Sequence, residues 1–141
     1  MQTTPVPDLA GRLRLVIART ARRLRQEAGG ELSPSLTAAL ATLERHAPLT
    51  PSELAARERI QRPTATRLIA RLEDSGLLAR TPDPTDGRSS LVSPTPAARE
   101  LMDELRTRKT AYLARRLEAL EPEERAVLER AAGILEKVLE A

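Results

Sequence analysis

The sequence predicts a mainly α-helical fold with one small β-hairpin, and three observations carry that reading. Apolar residues recur at spacings of three and four along most of the chain. Ser33-Pro34, Thr50-Pro51 and Thr95-Pro96 each place a capping hydroxyl directly before a proline. That pairing opens helices, because proline presets φ and has no amide to leave unpaired. Tyr112 is the only aromatic residue, so the core must be built from Leu, Ala, Ile and Val. Such a core suits close-packed helices and argues against a sandwich or barrel that leans on aromatic strand residues.

The first helix is expected from about Asp8 to Ala28, where Leu9, Leu13, Val16, Ile17, Ala21 and Leu24 line up and Gly29-Gly30 ends the pattern. The second starts at Pro34 behind Ser33, turns Leu36, Leu40 and Leu43 inward, and ends near His46, before Pro48. In Thr50-Pro51-Ser52-Glu53 the threonine caps, the proline takes the first helical position and the glutamate reaches back to the cap amide. That signal opens a short third helix, Pro51–Arg57, with Leu54 and Ala55 inward. After a tight connection holding Ile60, a fourth helix runs from about Arg62 to Ser75 with Ala65, Leu68, Ile69 and Leu72 on one stripe. Gly76 suits a left-handed cap, with Leu77 as the apolar residue after it. Two short extended runs, Leu77–Thr81 and Ser89–Ser93, flank a turn-forming stretch from Pro82 to Arg88 that includes Asp86-Gly87, and together they read as an antiparallel hairpin. Thr95-Pro96 then opens a long helix carrying Leu101, Leu105, Tyr112, Leu113 and Leu117. Pro122 opens the last, whose Val127, Leu128, Ala131, Ile134, Leu135, Val138 and Leu139 make a broad apolar stripe.

At 141 residues the chain is the length of one domain and long enough to bury a core without disulfides or metals. It has no cysteine, which excludes a disulfide, a thiolate zinc site and a cysteine redox switch. With His46 as the only histidine, neither a metal site nor any other cofactor is expected. There is no Ser/His/Asp or Cys/His set, no glycine-rich phosphate loop and no carboxylate pair in a defined cleft, so an enzyme is not expected. Met1–Pro7 lacks the basic and apolar parts of a leader, and no apolar run is long enough to span a bilayer. The expectation is a cytoplasmic protein with no membrane partner.

The net charge of +3 is modest but unevenly spread. Residues 57–80 hold six arginines against Glu58, Glu73 and Asp74, and residues 8–28 hold six against Asp8 and Glu27. Residues 99–141 are balanced, with nine basic and ten acidic side chains. Positive charge therefore gathers at the third and fourth helices and on the first, the footprint expected of a protein that meets a polyanion. The missing aromatics argue against single-stranded nucleic acid, which is usually held on stacking platforms.

A short capped helix, a tight turn and a second amphipathic helix make a helix–turn–helix, whose second helix enters the major groove of duplex DNA. With its apolar stripe inward, that helix presents Arg62, Thr64, Thr66, Arg67 and Arg71 on the other face, behind Pro63. Arginine is the commonest bidentate reader of guanine, and threonine bonds phosphate or touches a thymine methyl. A plainer reading pairs Arg71 with Glu73 or Asp74 on the surface; Arg62 and Arg67 are harder to explain that way. On the hairpin, Arg88 suits a narrow minor groove, with Asp86 placed to hold it. The plainer alternative there is that Asp83 and Asp86 make turn hydrogen bonds while Arg88 is a solvated loop charge. Directly after a helix–turn–helix, the hairpin reads as a wing. The expected organisation is thus a single domain, 1–141, with a winged helix–turn–helix lobe at 33–93 and dimerisation helices at 8–30 and 95–141. The last helix has a stripe too broad for one neighbour, and the first helix is its expected companion across a dimer; the alternative is that the stripe closes a monomeric bundle.

Three stretches, Leu49-Thr50-Pro51-Ser52-Glu53-Leu54-Ala55, then Pro63-Thr64-Ala65-Thr66-Arg67-Leu68-Ile69-Ala70-Arg71-Leu72-Glu73 with Gly76-Leu77, and Asp83-Pro84-Thr85-Asp86-Gly87-Arg88, together resemble the MarR family of bacterial transcriptional regulators. The resemblance covers the whole chain in element order and 49–101 in motif detail. It implies a homodimer that binds a pseudo-palindromic operator in double-stranded DNA, with repression relieved by a small anionic or phenolic effector. It also implies that the helix from Arg62 reads the major groove and that Arg88 enters the minor groove. The family's effector pocket makes Leu13, Arg14, Ile17, Leu36, Leu40 and His46 candidates, Arg14 as the anion partner, although each also reads as core or surface. Pro94 and Ala98 depart from the family pattern, which has leucine and glycine there, and Arg62 is no capping residue, so the fourth helix should begin without a side-chain cap. The alternative function is a winged-helix module that binds protein without specific DNA binding. The Arg and Thr face argues against it, because the centre of a protein-binding face tends to be apolar or aromatic.

Overall fold

The computed structural model describes residues 3–30 and 32–141; Met1 and Gln2, on which the reading of a leader partly rests, lie outside them. In chain order the described elements are α1 (Val6–Ala28), α2 (Pro34–His46), α3 (Pro51–Glu58), α4 (Arg62–Asp74), β1 (Leu78–Asp83), β2 (Asp86–Pro94), α5 (Pro96–Glu118) and α6 (Pro122–Glu140). Hydroxyl-proline pairs start three of the helices. The Ser33 Oγ accepts the Leu36 amide at 3.2 Å. Thr50 and Glu53 form a reciprocal capping box, both bonds 3.1 Å, which satisfies two amides that would otherwise be orphaned at the start of α3. The Thr95 Oγ1 accepts the Ala98 amide at 3.3 Å and donates to the Gly76 carbonyl at 2.7 Å. The expected weakness of α4 is also present: its N-cap is Gln61, with no side-chain cap bond.

The chain divides into two compact units, and the division falls inside α5. The unit Gly30–Arg106 holds α2, α3, α4, the hairpin and the first half of α5. Here α2 packs on α3, α4 and β2, and α4 packs on α3 and β1. Leu40, Leu43, Leu54, Ile69, Leu72 and Val92 are its largest fully buried side chains, with Ala39, Ala65 and Ala98 filling between them. Each large apolar side chain taken out of water contributes roughly 1.5–3 kcal/mol. The α4 stripe is as expected at Ala65, Ile69 and Leu72, while Leu68 is only half-buried. Val92, Leu49 and Met102 join the core without having been legible from helical spacing.

The hairpin is longer than its sequence pattern suggests. Its register runs from Leu78 opposite Pro94 to Asp83 opposite Asp86, with an irregularity at Pro82/Asp83, and Pro84-Thr85 alone form the tip. Asp86-Gly87, expected in the turn, instead begin β2. The cause is Asp83, whose Oδ1 accepts the Thr85 amide at 2.9 Å and the Thr85 hydroxyl at 2.8 Å, closing the turn ahead of the Asp-Gly pair. The amide bond from Thr85, and then the bond from its hydroxyl, hold the Asp83 carboxyl below its ordinary range. Pro94 and Ala98, the departures from the family pattern, are both buried, and the Thr95 amide donates to the Leu77 carbonyl at 3.1 Å, so the path into α5 is pinned.

The other unit joins α1 and Gly29 to Thr107–Ala141. Arg23 donates through Nε to the Tyr112 hydroxyl at 3.1 Å, and the guanidiniums of Arg23 and Arg116 stand 6.0 and 5.7 Å from the Tyr112 ring centre. Arg125 closes the α5–α6 turn by donating to the Leu120 carbonyl at 2.7 Å. What this unit leaves uncovered matters more. No residue of α6 is buried, and Val127, Leu128, Ile134, Val138 and Leu139 are exposed, Leu139 by 85%. Leu9, Leu13, Val16 and Ile17 on α1 are exposed too. The broad stripe of the last helix does not close a bundle within the chain. Among the described residues no helix is long and apolar enough to cross a membrane.

Two stability measurements check this packing. Leu54 is completely buried, so Leu54→Ala should cost about 2–5 kcal/mol in urea unfolding. Gln61→Ser supplies the missing cap of α4 and should raise stability by roughly 0.5–1 kcal/mol in the same assay.

Candidate nucleic-acid interface

α4 owes its exposed face to its buried one. Ala65, Ile69 and Leu72 are locked into the core, so the helix has no freedom to rotate, and Pro63, Thr66, Arg67 and Arg71 stand in solvent with Arg62 at the first helical position. The Thr66 hydroxyl donates to the Arg62 carbonyl at 3.0 Å, which leaves its methyl group and an acceptor lone pair outward. Arg67 donates through Nη2 to the Thr64 Oγ1 at 3.3 Å. Thr64 itself is half-buried, beside Leu68 and Glu58 in a small cleft of about 180 Å³, rather than fully on the outer face.

Charge pairing is selective across this surface. Glu73 is taken by Arg80 of β1, at 2.8 Å through Nε and 2.7 Å through Nη2, and that hydrogen bond raises the Arg80 pKa above its ordinary value. The sequence had offered Glu73 and Asp74 as partners for Arg71; neither takes that part. Among the described residues, the guanidiniums of Arg62, Arg71 and Arg88 make no hydrogen bond or ion pair, and Arg67 makes no ion pair. Arg71 also lines an apolar cleft of about 490 Å³ with Ser75, Leu36, Leu77 and Leu101.

On the hairpin, Arg88 lies on β2 near the tip and is exposed. Asp86 does hold it, but by the main chain: its Oδ1 accepts the Arg88 amide at 3.0 Å, and the guanidinium is left outward. The effector candidates are divided between the units. Leu13, Arg14 and Ile17 are exposed on α1. Leu36 reaches the apolar cleft, Leu40 is 0% exposed and offers no surface to a ligand, and exposed His46 lines a different cleft at the end of α2. Sequence reasoning passed over Arg45, Arg57 and Arg59, which line that same cleft. The signal was present, since Arg57 and Arg59 open the basic stretch 57–80, but the helical pattern alone put them in a connection.

The arrangement matches known proteins along its whole length. A family model described as MarR family matches residues 32–90. An HTH-type transcriptional regulator of Mycobacterium bovis is 40% identical over 128 residues, covering 90% of either chain. A crystal structure of a Pseudomonas aeruginosa protein described as a transcriptional regulator superposes with a TM-score of 0.85 at 31% identity over 99% of both chains. A MarR family protein from Bacillus stearothermophilus superposes with a TM-score of 0.79 at 26% identity over 96% of both. A relative this similar, spanning nearly the whole chain and joined to the capped helix–turn–helix and its hairpin, leaves one conclusion: the chain belongs to the MarR family of transcriptional regulators, which are DNA-binding proteins and not enzymes.

Proposed function

We propose that the protein is a homodimeric repressor that sits on a pseudo-palindromic operator in duplex DNA and leaves it when a small anionic or phenolic effector binds. One observation carries the DNA reading: Arg62, Arg67 and Arg71 stand without acidic partners opposite the buried stripe of α4. Arg67 and Arg71, with Thr66 and Pro63, are assigned to base edges and flanking phosphates, and Arg88, steadied through Asp86, to the minor groove. The dimer reading is supported by the exposed apolar side chains of α1 and α6, which in water favour association. A two-fold pair would set two recognition helices about 34–36 Å apart, one turn of DNA. For the effector, Leu36 and Arg71 on the apolar cleft add a cation beside an apolar wall to the candidates Leu13, Arg14, Ile17 and His46.

Selection of preferred sites from random duplex DNA should return an inverted repeat. On that site Arg67→Ala should cost about 1–3 kcal/mol and relax the preference at one position of each half-site, while Arg88→Ala weakens binding with less change in preference. A native protein that associates with no duplex in a salt-dependent way would sink the proposal. The dimer has its own check. Leu128→Asp with Val138→Asp should halve the mass in sedimentation equilibrium and abolish tight binding to the full repeat; an unchanged mass would place the interface elsewhere.

A further inference from the structure

Beside the helix–turn–helix, the ends of α2 and α3 enclose a cleft of about 540 Å³ lined by Arg45, His46, Arg57 and Arg59, over alanines of both helices. Its one acid is Glu58, whose Oε1 is buried and accepts no hydrogen bond among the described residues. None of the three arginines forms an ion pair among the described residues, so the cleft carries a net positive charge that nothing in the chain neutralises.

A second, independent observation concerns Arg59. It ends α3 in the left-handed conformation, with φ 54°, and its amide donates to the Ala55 and Ala56 carbonyls. Glycine takes that conformation freely, whereas any side chain is strained in it. An arginine there bears the strain, and its guanidinium returns no bond to the fold. Strain of this kind collects where a side chain serves a ligand. The cleft is also continuous with the reading helix. The neighbouring cleft that holds Thr64 shares Ala38 and Glu58 with it, and Arg59 lies only three residues ahead of Arg62, within about 11 Å along the chain.

We propose that this cleft holds phosphate groups of the DNA backbone flanking the groove that α4 enters, with Arg45, Arg57 and Arg59 as the phosphate contacts and His46 as an added N–H donor. Clustered guanidiniums suit phosphate oxygens, which they meet with paired, charge-assisted hydrogen bonds. These contacts fix register and carry no base information. The inference rests on the proposed DNA reading and extends its footprint from α4 and the wing to the ends of α2 and α3.

The test is a salt titration of the full-length protein on its selected duplex and on a scrambled one. Arg45→Ala, Arg57→Ala and Arg59→Gly should each make the slope of log K against log salt shallower by about 0.9, and should weaken both duplexes equally so that their ratio stays unchanged. Arg59→Gly controls for folding, since glycine suits the left-handed position and the melting temperature should not fall. Variants that keep the native slope, or that shift sequence preference instead, would overturn the proposal. So would thermal stabilisation of the native protein by inorganic phosphate that is lost in the triple variant while the DNA slope stays native; the cleft would then serve a free anion. A native protein that binds neither duplex brings down the DNA reading itself, a different result from a native protein whose slope the variants leave intact.

Discussion

Two hydrogen bonds between Leu49 and Val92 hold this architecture together. Each residue donates its amide to the other's carbonyl, at 3.2 and 2.8 Å, one residue before the Thr50 cap of α3 and in the middle of β2. Val92 and Leu49 are both buried, so their peptide groups would otherwise lie unpaired in the core, at about 1–3 kcal/mol each. The bridge thereby ties the start of the helix–turn–helix to the hairpin. Thr95 makes the matching tie at the far end, with its hydroxyl on the Gly76 carbonyl and its amide on the Leu77 carbonyl. Between these two ties α4 and the hairpin have no independent freedom, and a reading helix and a wing become one rigid reader.

The same packing decides where charge is left over. Glu73 turns to Arg80 on β1, and Glu44 takes Arg106 through two bonds of 2.9 and 3.1 Å, which raises the Arg106 pKa above its ordinary value. Partly exposed pairs of this kind contribute at most about 1 kcal/mol each. Their larger effect is distribution: acids that could have neutralised the α4 face are committed elsewhere, and the arginines of α4, β2 and the α2–α3 cleft stay available to a polyanion.

Much of this was legible in the chain because the signals are local. Ser33-Pro34, Thr50-Pro51-Ser52-Glu53 and Thr95-Pro96 mark helix starts by which amide lacks a partner, and the stripe Ala65-Ile69-Leu72 marks an inward face by spacing alone. The hairpin was read short because Asp86-Gly87 is a strong turn signal, and only the bonds between Asp83 and Thr85 reveal that the chain turns earlier. Arg59 was missed for a similar reason, since nothing in its spacing discloses a left-handed backbone.

What the sequence by itself determined is therefore the order of the elements, the inward face of α4, and the identity of the arginines on its other side. Capping chemistry and helical periodicity act within a few residues and need no knowledge of the rest. Only the tertiary structure decided which acids those arginines keep, where the hairpin turns, that Leu40 is sealed from any ligand, and that the apolar stripes of α1 and α6 find no cover within the chain. Those outcomes depend on residues tens of positions apart meeting in space, and no local pattern records who meets whom.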